Sequence, residues 1–350
     1  MTEINFRRDN HYVACEYLKR WASPVKRVWT YRILVAHENV PLWKASSIRG
    51  IAYHSHLYTR IVAGIESDEI EKWFEREYET PAEEVMQKVT SDARMTPSDW
   101  RILVRFLAAQ DVRTPARLME NLQRWSKTLP DLIRNSLKKS VHKIESIKAG
   151  GGAINPTAST AVEDFPLRIK TKIEPGQELV TLEAETIAGR GLWLYAIKRL
   201  LAGPSEVLHQ HRWTILSPPE GMKWFTSDDP VIRLNYHNPE KYDFDGGWNH
   251  KGTEIFMPLS PNHLLYTQVG KRPPRRGTQC SHELAGIFRR CIAVHAHRFI
   301  FASEQDAQMA RLRPRTVSAD LVRDEKIQWS NWHEEQTAAE SNLLGWVEDG

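Results

Sequence analysis

Cysteine is scarce in this chain of 350 residues: Cys15, Cys280 and Cys291 are all there are. An odd number with no CxxC spacing gives no basis for a disulfide framework or a cysteine zinc site. Long apolar runs are lacking too. No stretch of about 18 apolar residues occurs, so no transmembrane helix is expected. The opening MTEINFRRDN has no apolar core of a secretory signal. A reducing cytoplasm is the compartment these absences favour. A large excess of one charge sign is also missing. Lys and Arg number 48 against 44 Asp and Glu, and the net +4 does not by itself imply nucleic acid. No P-loop, GxGxxG, GxSxG or HExxH motif is found. Tryptophan, by contrast, is abundant at thirteen. Indoles bury much area and keep one donor to place, so they serve as core or interface anchors.

The pattern changes along the chain. VWTYRILV (28–35) mixes β-branched and aromatic residues and reads as a strand. From Ser67 the period becomes helical, with Ile70, Trp73, Phe74 and Tyr78 on one face, and Pro81 opens a second helix. TPSDWRILVRFLAAQ (96–110) is the clearest helix. Thr96 caps it, Pro97 takes the first helical position, Asp99 lies in the first turn, and Trp100, Leu103, Val104 and Leu107 form the stripe. Pro115 ends or kinks it. Further helices are expected up to Pro130 and over about 131–147. AGGGAINPTAST (149–160) is the one strong linker signal. ELVTLEAETIAGRGLWLYAIKRLLAG (178–203) reads as helical, broken by Gly189 and Gly191. Short β-rich runs follow, with SPPEG, SDDP and PLSPNH as turns, interrupted by one helix at 282–296. The tail after Pro314 reads as polar and loosely packed.

The expected fold class is therefore α+β, a helical N-terminal half packed on a mostly antiparallel sheet from the C-terminal half. The expected divisions are 1–148, a linker or loop at 149–177, a strand-rich 178–313 and a tail at 314–350, together forming one unit.

Four polar constellations stand out. His11-Tyr12 precedes an amphipathic segment, where a capping or core histidine is the bland alternative. Gln110 continues the stripe of Leu103 and Leu107, so its amide should be buried and in need of partners. Arg113 follows at the helix end, where a guanidinium can bond terminal carbonyls or offer its fork to a carboxylate or phosphate. Ser227-Asp228-Asp229-Pro230 is a standard turn, in which Asp228 or Asp229 at a strand end could also be a general base or metal ligand. Pro258-Leu259-Ser260-Pro261 is a weaker turn motif.

In that order these motifs resemble the domain-of-unknown-function 4238 family of bacteria, over 11 to about 303. Ala14 and Cys15 depart from the family's more usual Pro and polar residue. The resemblance brings no established activity. It implies that His11, Gln110, Arg113 and Asp228 meet across the helical and sheet halves.

Three His-x-His pairs, His54/His56, His209/His211 and His295/His297, leave a divalent metal open, with Asp228 as a possible carboxylate, although chance pairs are expected among fourteen histidines. Arg290 and His295 resemble the Arg-x4–6-His signature of helical ribonuclease domains, without the compact four-helix pattern around them. KRPPRRG (271–277) reads as a solvated basic loop, with phosphate-backbone contact as the alternative. Two functions fit. One is a hydrolase or nuclease-like enzyme on a phosphate-containing substrate, in a defence or toxin context, with His11 as acid or base, Arg113 on the anion, Asp228 as base or ligand and Gln110 orienting them. The other is a non-catalytic ligand- or partner-binding module around a buried polar network. Nucleic acid, a nucleotide or a protein are the partners left open. No membrane partner is expected.

Overall fold

A computed structural model describes residues 6–62, 64–150, 166–173 and 180–344. The chain is a mixed α+β protein with mainly antiparallel sheets. The larger sheet has six strands, in the order Lys241–Asp243, Ile232–Asn238, Glu254–Ser260, His263–Gln268, Thr214–Ser217, Thr278–Gln279. Its pairs are antiparallel except the last, Thr214–Ser217 with Thr278–Gln279. PLSP marks the hairpin in this sheet: Ser260 pairs with His263, and the register shifts between Pro258 and Ser260.

The second sheet joins the two ends of the chain. Arg27–Arg32 and Trp43–Ser47 from the N-terminal region continue through Phe299–Ala302 to Thr226–Ser227. The N-terminal region is thus not only helical. Two apolar clusters result. One holds Tyr17, Trp21, Phe74, Phe106 and Trp193 among the helices, and the other holds Tyr31, Phe225, Phe256 and Phe288 beneath the helix His282–His295.

The helix Pro97–Val112 is built by its sequence as expected. Thr96 Oγ1 accepts from the Asp99 N–H at 3.2 Å, and Asp99 Oδ2 accepts from the Thr96 N–H at 2.8 Å. That reciprocal pair satisfies two donors that a helix start leaves open.

Three elements differ from expectation. Glu69–Phe74 runs through a π-helical stretch, Glu75–Glu79, into Thr80–Thr90, with no break at Pro81. The wider π turn accommodates a residue that has no N–H to give. Next, Pro115–Ala149 is one helix with Pro130 inside it. The apolar stripe on both sides of Pro130 outweighs the loss of one hydrogen bond. Finally, Val180–Thr186 is a strand paired with Leu167–Ile173, and the helix begins only at Arg190. Pairing with a neighbour overrides the helix propensity of its Leu, Glu and Ala. The strand Leu167–Ile173 falls within the span 149–177 expected as linker, while the glycine-rich stretch itself lies largely outside the described residues.

The tail is not loose. Ala319–Leu344 is a helix, and its Trp332 is buried against the helical cluster. Among the described residues no helix is long and apolar enough to cross a membrane.

Removing the cap hydroxyl tests the local argument. Thr96→Ala is expected to cost about 1 kcal/mol of stability, read as a lower midpoint in urea with an unchanged slope.

Candidate active site

The helix Pro97–Val112 ends in the motif Gln110-Asp111-Val112-Arg113-Thr114-Pro115, and each polar side chain there has a task. Gln110 is fully buried (0% exposed). Its Nε2 donates to the Tyr12 carbonyl at 2.6 Å, and its Oε1 accepts from Arg113 Nη2 at 3.1 Å. Arg113, 1% exposed, donates from Nη1 to Glu79 Oε1 at 2.6 Å and stands 5.0 Å over the Phe74 ring. Tyr58 donates its hydroxyl to the Arg113 carbonyl at 2.6 Å.

A second carboxyl, Glu71, lies in the same cluster. Burial pushes it up to about 8, against the pull of Arg113 and with a push from Glu79. Glu71 is therefore neutral near pH 7, and the single guanidinium faces the single charge of Glu79. That balance limits the cost of burying them. His11 borders this cluster: its N–H reaches Glu71 Oε1 at 3.4 Å, and its Nε2 lies 3.3 Å from the Arg49 carbonyl. Burial lowers the His11 imidazole, keeping it neutral.

Thr114 and Asp229 form the clip to the sheet. Thr114 Oγ1 donates to Asp229 Oδ1 at 3.0 Å, across 115 positions. Behind it Arg117 lies near the carboxylates of Asp111 and Asp229, with the His295 imidazole beside them. Arg117 Nη2 is 3.4 Å from His295 Nε2. A guanidinium only donates, so Nε2 is the acceptor and Nδ1–H donates to the Asp229 carbonyl at 3.0 Å. Burial raises Asp111, but Arg233 and Arg117 outweigh it and hold the carboxylate low, helped by Trp248, which donates to Oδ2 at 2.7 Å. Arg290 is exposed and takes no part.

Asp228 is placed elsewhere. Its two oxygens accept the backbone N–H groups of His297 at 2.9 Å and Arg298 at 2.7 Å. Burial pushes the carboxyl up to about 7, against those N–H bonds and with the charge of Asp229 adding to the rise. Asp228 lines a cavity of about 720 Å3 whose wall includes Tyr12, His54, His297, Arg8, Arg32 and Trp329. His54 stacks between Tyr12, at 5.4 Å, and Trp329, at 3.8 Å. Burial lowers His54 to about 4, and His297 adds to it. His297 is also lowered to about 4, by burial and then by Arg298. Arg8 and Arg32 are exposed and have no ion-pair partner among the described residues. The cavity therefore offers an acid–base group near neutrality, two neutral imidazoles and two unpaired cations.

The structure brings His11, Gln110 and Arg113 together. It does not seat them with Asp228 in one cleft, because none of the three lines the cavity. Arg113 is occupied by Glu79 and Gln110 and is not presented to an outside anion. Tyr12 joins the two places, with its carbonyl on Gln110 and its ring against His54. Tyr12 was noted in the sequence only beside His11, and His297 only as half of a His-x-His pair; Arg8 and Arg32 were not singled out, and Trp329 could not be, since its place is set by a tertiary stack.

The His-x-His pairs do not act as pairs. His54 stacks on Trp329, His56 stacks on His333 at 3.7 Å, and His211 Nε2 bonds the Trp248 carbonyl at 2.6 Å. Among the described residues one cluster, His56, Glu66 and His333, places three metal-ligating atoms within 4.8 Å of one another. Its hydrogen bonds already use those atoms. Arg190 Nη1 donates to His333 Nδ1 at 3.0 Å, so Nε2 carries the proton that goes to Glu66 at 2.6 Å. A metal on Nε2 would need that proton moved and Arg190 displaced, so these residues do not fit a resident ion.

A family model described as "Protein of unknown function (DUF4238)" matches residues 9–306. No curated protein and no solved structure matches the chain.

Gln110→Leu leaves the Tyr12 carbonyl without its donor and Arg113 without one acceptor. At about 1–3 kcal/mol for each orphaned group, a loss of roughly 2–6 kcal/mol is expected in urea titration. Retained stability would show that the amide is not the link described.

Proposed function

The chain belongs to the DUF4238 family, whose description names no activity, and from the cavity we propose a hydrolase or nuclease-like enzyme acting on a phosphate-containing substrate. The observation that carries this reading is Asp228. A carboxyl pushed up to about 7 by burial opens onto a cavity beside unpaired Arg8 and Arg32. Such a group can take or give a proton near neutral pH, which is what general acid–base catalysis needs. Arg8 and Arg32 bind the anionic group. His54 and His297, neutral at pH 7, orient it by hydrogen bonds rather than by charge. His11, Gln110 and Arg113 are positioning residues. They fix Tyr12, and through it the ring that supports His54.

A second reading is kept because one observation favours it. The ion networks around Arg113 and Arg117 match cations to carboxylates inside the protein, as expected of a scaffold for a non-catalytic binding module.

The assay is turnover of RNA, DNA and nucleotides, with and without divalent metal, beside Asp228→Asn and the exposed pair Arg8→Gln/Arg32→Gln. The enzyme reading expects a rate that inflects near pH 7, a loss of about 100-fold or more in Asp228→Asn, and a raised KM in the arginine pair. Turnover unchanged in Asp228→Asn, or none in the parent protein, returns the cavity to the binding reading.

Folding has a matching pH dependence. Burial raises the folded-state value of Asp228 above that of the unfolded chain, about 4. Its neutral form therefore stabilises the fold at low pH, and that contribution is lost as pH climbs from about 4 through about 7. The parent protein should lose stability relative to Asp228→Asn between pH 5 and 8 in parallel urea titrations.

A further inference from the structure

A different groove, sharing no residue with the Asp228 cavity, lies where the first turns of the helix Pro97–Val112 meet the strand start at Trp213 and the loop 271–277. It encloses about 550 Å3, within the usual size of small-ligand sites. Its walls carry four arginines, Arg101, Arg212, Arg272 and Arg275, two tryptophans, Trp100 and Trp213, and no carboxylate. None of the four guanidiniums has an ion-pair partner among the described residues. Elsewhere in this protein the buried arginines, Arg113, Arg117 and Arg190, are each matched to carboxylates. The four groove arginines are exposed, as the unpaired Arg8 and Arg32 are, and what sets the groove apart is that four of them gather on walls that carry no carboxylate.

The loop that brings two of them is held in place. Lys271 N–H bonds the Gln268 carbonyl at 3.0 Å, Gly277 N–H bonds the Ile215 carbonyl at 2.8 Å, and Arg276 Nη1 reaches the Ala93 carbonyl at 2.6 Å. Between these anchors Pro273 and Pro274 restrict φ to near −65°. Both indoles are half-buried against the core, which fixes them and leaves ring surface open to the groove. Trp213 is held further by its Nε1–H on the Leu208 carbonyl at 2.8 Å.

We infer that this groove binds single-stranded nucleic acid, with bases stacked on Trp100 and Trp213 and phosphates on Arg101, Arg212, Arg272 and Arg275. Fixed aromatic faces interleaved with unpaired arginines are the combination that a flexible strand of planar bases and phosphates uses. A purely anionic polymer would engage the arginines but not the indoles. The inference does not depend on the reaction assigned to Asp228.

The test is fluorescence anisotropy of a labelled 12-nucleotide single strand with the full chain. The same experiment is run with duplex of equal length, inorganic polyphosphate and poly-glutamate as competitors. Four phosphate contacts predict a log–log salt slope of roughly −3 for a single strand. The exposed loop variant Arg272→Ala/Arg275→Ala should bring that slope to about −1.5 and weaken binding uniformly across sequences. Trp213→Ala should weaken it by about tenfold or more; should that variant unfold, the loop pair still decides. Asp228→Asn should bind as the parent does. The inference is overturned if the loop pair binds like the parent, if polyphosphate or poly-glutamate competes as well as the oligonucleotide, or if Asp228→Asn alone abolishes binding.

Discussion

The side-chain amide of Gln110 is the contact on which the arrangement around the cavity depends. It is buried, and it spends its donor on the Tyr12 carbonyl and its acceptor on Arg113. A side-chain amide carries a donor and an acceptor on separate atoms a fixed distance apart and has no charge. It can therefore tie a backbone carbonyl to a guanidinium without adding charge to the core. Tyr12 is thereby set at the junction of the first strand and the helical cluster, where its ring meets His54. Arg113 is set against Glu79, in the π-helical stretch that lets the chain pass Pro81 without a break.

Charge accounting separates two kinds of buried polar group in this protein. In the Arg113 and Arg117 networks, cations and carboxylates neutralise one another at hydrogen-bond distance, and burial is tolerable because the matching is local. Around Asp228 the matching is absent. Its oxygens are met by backbone N–H groups rather than by cations, and burial outweighs those bonds. The two adjacent aspartates of one turn thus have different partners. Asp229 accepts from Thr114 and lies near Arg117, while Asp228 accepts from backbone N–H groups.

Much of the local structure was legible in the residues. The capping box at Thr96 and Asp99, the burial of Gln110 and the hairpin at PLSP all follow from near-neighbour chemistry. The strand Val180–Thr186 was not legible, because its Leu, Glu and Ala favour a helix and only the pairing with Leu167–Ile173 decides otherwise. The helix through Pro130 was hidden for a related reason: a proline marks a local cost, not the stripe that outweighs it. Of the site, Asp228 was visible as an acid at a strand end. Its separation from Arg113 was not, since both motifs reach the same clip through Thr114 and Asp229. His54 and Trp329 lie 275 positions apart, and nothing in either segment announces a stack between them.

The helix Ala319–Leu344 lies beyond the span matched by the family, yet it supplies Trp329, His333 and Glu325 to the cavity wall. Trp329 and His333, one turn apart, seat on His54 and His56, two apart in the chain. The two repeats are thus geared, like teeth of unequal pitch that mesh at two points. One residue added between Ser318 and Trp329 would turn both rings by about 100° and disengage the pair together. Sequence change in this helix is therefore gated by phase more than by composition: many side chains could roof the cavity, but only in one rotational setting.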